Sequence, residues 1–188
     1  MKIIIGLGNP GPEYKGTRHN VGYRVADALG ALYSIRILSR RAKSLVGEGT
    51  VEGFEAVIAK PETFMNNSGR AAAALLEKYD AGLQDLLVVC DDFHLELGRL
   101  RVRRTGSSGG QKGLQSIIDT LASQDFARLR IGIGEARRDP VDFVLSRFSR
   151  AEEEVIGQAV DQAARACAVW ARDGIEACMN EFNRSPAD

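Results

Sequence analysis

The chain has 188 residues, 44% hydrophobic and 27% charged, the composition of a globular protein long enough to bury a real core. Its 25 basic and 25 acidic residues cancel, so any surface for a polyanion must be a local patch rather than a global field. The apolar runs at 3–5 and 86–90 fall far short of the ~20 residues that cross a bilayer.

A single Lys2 with no long apolar segment after it argues against a signal peptide, and three cysteines without metal or disulfide spacing suit a reducing cytoplasm. Residues 2–7 read as a buried strand, and the prolines and glycines that follow make a loop up to Gly16. From Asn20, apolar residues at Val21, Val25, Ala28, Leu29 and Leu32 trace a helical stripe. Residues 45–51 and 54–59, parted by Glu52-Gly53, predict a hairpin. Ser68 is placed to cap a helix that runs through 71–74 to about Tyr79.

Residues 86–90 are a continuous apolar run, read as a central strand ending at Asp91-Asp92. Residues 99–103 alternate strictly, which puts Arg99, Arg101 and Arg103 on one face of a half-exposed strand. Residues 105–110 form a Gly/Ser loop before a helix that opens near Gly113. Leu129, Ile131 and Ile133 alternate in a further strand, and helices cover 151–172 and 175–182. Strands interleaved with helices, without repeats or linkers, predict a single three-layer α/β/α domain over 1–188. The hairpin makes its central sheet mixed.

Gly6-Leu7-Gly8-Asn9-Pro10-Gly11 satisfies a dinucleotide fingerprint in letters only. That fingerprint needs a helix starting inside it to meet a pyrophosphate. Pro10 and Pro12 turn Asn9 and Gly11 away from helical geometry, and the helical stripe starts about nine residues later. A nicotinamide site is therefore not expected.

Only two histidines are present, His19 and His94. His19 lies between the first loop and the first helix, where it is either a general base or a cap of the helix start. Asp91, at the carboxyl end of a buried strand, either holds one imidazole nitrogen or caps its loop. Asn9, Asn66 and Asn67 carry uncharged donors and acceptors that suit a water or a developing oxyanion, and equally suit turns. His19, His94 and Asp91 make no compact ligand motif, so no metal is expected. Cys90 precedes Asp91 on a buried strand, where a thiolate is disfavoured.

The segment Gly6-Leu7-Gly8-Asn9-Pro10-Gly11-Pro12-Glu13-Tyr14, with Thr17-Arg18-His19-Asn20-Val21-Gly22, resembles the opening signature of the bacterial-type peptidyl-tRNA hydrolase family. The resemblance continues through Lys60-Pro61-Glu62-Thr63-Phe64-Met65-Asn66-Asn67-Ser68-Gly69, Val88-Val89-Cys90-Asp91-Asp92 and Arg128-Leu129-Arg130-Ile131-Gly132-Ile133-Gly134. It implies hydrolysis of the ester between a peptide and the tRNA 3′ ribose, by a cytoplasmic monomer without a cofactor. It also implies roles: His19 as catalytic base, Asp91 as the carboxylate that keeps it basic, and Asn9 as the residue that distinguishes blocked aminoacyl groups. Tyr14, Phe64 and Asn66 match the substrate crevice. Arg101, Arg103 and Arg130 match basic residues that contact tRNA. Alternate arginines on one strand face can meet a phosphate backbone, or can simply protect a solvated edge.

Two departures stand out. Where the family usually has His-Asn, this chain has Gln111-Lys112, and His94 replaces a second aspartate. A lysine opening a helix opposes the helix dipole unless an anion compensates, so Lys112 is expected to meet a tRNA phosphate near the acceptor end. The rival reading is an RNA-binding relative on the same scaffold, splicing-factor-like and without hydrolysis.

Overall fold

A computed structural model, which describes residues 1–136 and 139–184, contains one seven-stranded mixed sheet. Its strands are β1 (Lys2–Gly6), β2 (Ser39–Arg41), β3 (Ser44–Val51), β4 (Phe54–Pro61), β5 (Leu86–Asp92), β6 (Leu100–Arg103) and β7 (Ala127–Gly132). The helices are α1 (Val21–Leu32), α2 (Ser68–Lys78), α3 (Lys112–Leu121), α4 (Pro140–Leu145) and α5 (Arg150–Phe182). The order across the sheet is β2-β3-β4-β1-β5-β7-β6. Strands β4, β1, β5 and β7 run parallel, and β3, β2 and β6 are antiparallel to their neighbours.

Alternation along β1 divides its isoleucines between two cores. Ile4 packs with residues of α1 and α5, whereas Ile3 and Ile5 pack with residues of α2 and α3. The layering is therefore α/β/α with a mixed sheet, as the sequence predicts. Burial on both faces explains why β5 reads as an unbroken apolar run.

Glycine at two positions sets the depth of α1. A Cβ on Gly6 would lie 2.1 Å from the Gly22 carbonyl oxygen, and one on Gly22 would lie 2.5 Å from the Leu7 backbone. The first glycine of the apparent fingerprint thus serves close packing of helix on strand, and α1 opens only at Val21. Strand β1 feeds α1 on one face of the sheet, while its neighbour β4 feeds α2 on the other. A crevice opens above the carboxyl ends of the strands where the chain diverges.

Three details differ from the expectations. Asn67, not Ser68, is the N-cap of α2; Ser68 is its first residue, and its hydroxyl donates to the Met65 carbonyl. Strand β7 is buried at every position, arginines included, so alternation there does not mark a solvent face. Strand β2 and helix α4 had no expectation: β2 is polar and fully exposed, and α4 spans only six residues. The two expected C-terminal helices are present: α5 is two helical stretches that meet at Gly174, whose φ of +84° and ψ of −178° are not helical.

Candidate active site

His19 sits in a single 3-10 turn, Arg18–Asn20, immediately before α1. The turn is pinned from below. Arg18 donates to the Ile133 carbonyl and the Ser146 hydroxyl, pairs bidentately with Glu152, and stacks over Phe143 and Phe148. This network holds His19 Nδ1 at 2.8 Å from Asp91 Oδ2, both side chains being buried. A carboxylate can only accept, so in the neutral imidazole Nδ1 carries the proton and Nε2 the lone pair. Burial pushes the neighbouring Cys90 thiol far above its ordinary range, which removes it as a nucleophile.

His19 and Asp91 line a cleft of about 310 Å³, together with Asn9, Met65, Asn66 and Lys112. Asn9 is fixed on three sides. Its N–H donates to Asn20 Oδ1 and its carbonyl accepts from Asn20 Nδ2, both at 2.9 Å. Its side-chain oxygen accepts from the Met65 N–H at 2.8 Å. The amide nitrogen of Asn9 makes no hydrogen bond among the described residues, which leaves a preset donor in the cleft.

The other expected residues separate into three groups. Asn66 and Lys112 are exposed at the cleft, Lys112 as the first residue of α3. Tyr14 and Phe64 do not line it; they meet edge to face, with ring centroids 6.3 Å apart, and Phe64 is exposed. Arg101 and Arg103 stand exposed on β6, away from the cleft. Arg130 differs from those two. It is buried in the cleft wall, 3.3 Å from Asp92 Oδ2, and donates to the Ser107 carbonyl at 2.7 Å.

Several parts of the site had no role expected from the sequence. Asn20, Met65 and Gln111 all hold other cleft residues by hydrogen bonds. Helix α4 supplies an apolar wall through Pro140, Val141, Val144 and Leu145. One signal for α4 was present, since Asp139 before Pro140 is a cap followed by the residue favoured at a first helical position. Among the described residues, no group of three or more His, Cys, Asp or Glu side chains is placed to hold a metal ion.

Comparison with known proteins gives the family and the fold. The family described as peptidyl-tRNA hydrolase matches residues 3–188. A peptidyl-tRNA hydrolase of Desulforudis audaxviator is 48% identical over 183 residues, 97% of this chain and 93% of the relative. One from Caldanaerobacter subterraneus subsp. tengcongensis is 50% identical over 184 residues, 97% of this chain and all of the relative. The crystal structure of peptidyl-tRNA hydrolase from Acinetobacter baumannii superposes with a TM-score of 0.91 at 30% identity. That match covers 97% of this chain and 94% of the other.

Proposed function

This chain belongs to the peptidyl-tRNA hydrolase family, and we propose that His19 is the general base with which it hydrolyses peptidyl-tRNA. The observation that carries the reading is the 2.8 Å contact of His19 Nδ1 with Asp91 inside the cleft. His19 Nε2 takes a proton from water as the oxygen attacks the ester carbonyl. Negative charge develops on the carbonyl oxygen, where the Asn9 amide nitrogen is available as a donor. The imidazolium, steadied by Asp91, then gives its proton to the departing 3′ oxygen of the tRNA ribose. The products are tRNA and a peptide carboxylate, with the second proton of the water released to solvent.

The rest of the substrate follows the chemistry of the surface. Asn66 meets the substrate in the cleft, Tyr14 and Phe64 meet it beyond the cleft, and the apolar wall of α4 suits the peptide. Arg101 and Arg103 bind tRNA phosphates. Lys112 meets a phosphate near the acceptor end, and Arg130 supports that surface from beneath. Support for the exposed arginines comes from Asn183, which bonds both the N–H and the C=O of Val102, at 2.7 and 2.9 Å. The middle of the β6 edge is already closed, so it has little need of charge to keep other strands away. A scaffold that only binds RNA would have no use for a buried, oriented His–Asp pair.

The whole chain works as one unit, a cytoplasmic monomer. No described helix is long and apolar enough to cross a membrane, and the free cysteines are buried. Hydrolysis of an N-blocked aminoacyl-tRNA is the test. His19→Ala should lose about 10²–10⁴-fold in turnover while tRNA still binds. Near-normal turnover in that variant would overturn the mechanism.

A further inference from the structure

We infer that Gln111 is a positioning residue, whose carboxamide locks Asp91, and through it the His19 ring, to the first turn of α3. The inference rests on the roles just proposed for His19 and Asp91. Gln111 is buried at the N-cap of α3, where its Oε1 accepts from the Leu114 N–H at 2.7 Å. Its Nε2 donates to Asp91 Oδ1 at 3.0 Å and lies 3.3 Å from Met65 Sδ.

The cap decides which way the amide faces. Only its oxygen can accept from Leu114, so its nitrogen must point to Asp91. Asp91 then has a donor on each oxygen, Gln111 on Oδ1 and His19 on Oδ2. A carboxylate held at both oxygens does not swing about its Cβ–Cγ bond. The imidazole that it orients keeps one ring plane and one tautomer.

One side chain therefore joins two parts of the site that belong to different layers. His19 and Asp91 come from the edge of α1 and the end of β5, while Lys112 follows Gln111 directly at the start of α3. A shift of α3 would reach the catalytic pair through Gln111. A histidine in this place could make both contacts only as one neutral tautomer. A carboxamide makes them with no proton to place.

The experiment must separate this role from simple helix capping. Gln111→Ser keeps a good capping oxygen but is too short to reach Asp91. Gln111→Met removes the donor at nearly constant volume, and Gln111→His returns one. With N-blocked aminoacyl-tRNA, the serine and methionine variants should lose roughly tenfold or more in kcat, with KM little changed, the order seen for outer partners that orient a histidine. The ¹⁵N spectrum of His19, assigned by comparison with His19→Ala, should change from one Nδ1–H tautomer to a mixture. Gln111→His should recover most of the kcat.

Wild-type kcat in both the serine and the methionine variants would overturn the positioning role. So would a loss of kcat with the tautomer signature unmoved. If His19→Ala is inactive while these variants are fully active, only the Gln111 inference fails. An active His19→Ala instead removes the reading on which it rests.

Discussion

Strands β6 and β7 lie side by side and both carry arginine at alternate positions, Arg101 and Arg103 on the first, Arg128 and Arg130 on the second. In register, Arg101 faces Arg130 and Arg103 faces Arg128, so all four rise from one face of the sheet. Their fates are opposite. Arg128 is fully buried and donates to the carbonyls of Gly106, Ser107, Gln124 and Phe126. Arg130 holds Asp92 and the Ser107 carbonyl. Both β7 arginines thus tie down the glycine loop that leads to Gln111 and Lys112. Arg101 and Arg103 are exposed and make no ion pair or hydrogen bond among the described residues.

Burial without a carboxylate has an electrostatic signature in Arg128. Desolvation, with Arg130 close by, lowers its pKa to about 10. It stays charged at neutral pH, and the loop carbonyls serve in place of a counter-ion. The opposite edge of the sheet completes the contrast. There Arg40 pairs with Glu62 at 3.2 Å, and Arg41 lies 3.9 Å from Glu48. Of the arginines on the two edge strands, Arg40 and Arg41 thus have carboxylates beside them, whereas Arg101 and Arg103 have none among the described residues. The difference lies in which neighbours the fold brings to them.

The largest effects of breaking this pattern should fall on β7. Arg130→Ala strands Asp92, which is buried, and should cost about 3 kcal/mol of stability. Arg128→Ala orphans several loop carbonyls and should cost somewhat less, about 2 kcal/mol. Urea unfolding measures both; a loss under about 0.5 kcal/mol in either would show that the loop is held by other means. Next comes tRNA affinity. The double variant Arg101→Ala/Arg103→Ala should keep the wild-type melting temperature, bind tRNA more weakly, and flatten the dependence of log K on log salt by roughly one to two. Lys112→Glu should weaken binding too, by setting a carboxylate against a phosphate. An unchanged salt slope in the double variant, or unchanged affinity in Lys112→Glu, would remove those residues from the RNA surface. Smallest of all is Arg40→Ala, whose partner Glu62 is half-buried at the rim of the sheet. Its tRNA affinity and salt slope should match wild type, and a loss of affinity like that of the β6 variant would erase the contrast between the two edges.

The sequence makes some of this legible and hides the rest for definite reasons. Period-two alternation at 99–103 exposes β6 because one face of an edge strand is wet. The same spacing at Arg128 and Arg130 looks alike, yet β7 lies between β5 and β6 and is roofed by a loop. Local periodicity cannot report a roof supplied from elsewhere in the chain. Strand β2 is too short and polar to show a period, and α4 is shorter than two turns.

By itself the chain determined its layers, through apolar runs and helical stripes that must be buried on both faces of a sheet. It also marked His19 and Asp91 as candidates by residue type and position, whereas Asn9 stood out from Asn66 and Asn67 only through the family resemblance. Only tertiary structure brought the three together. The 2.8 Å contact between His19 and Asp91 joins residues 72 positions apart, and it exists because Gly6 and Gly22 let α1 settle against β1. The same is true of Gln111, which the sequence marks as a departure but to which it assigns no contact. It reaches Asp91 because the cap of α3 turns its nitrogen that way, and hydrogen bonds between distant residues leave no period in the chain.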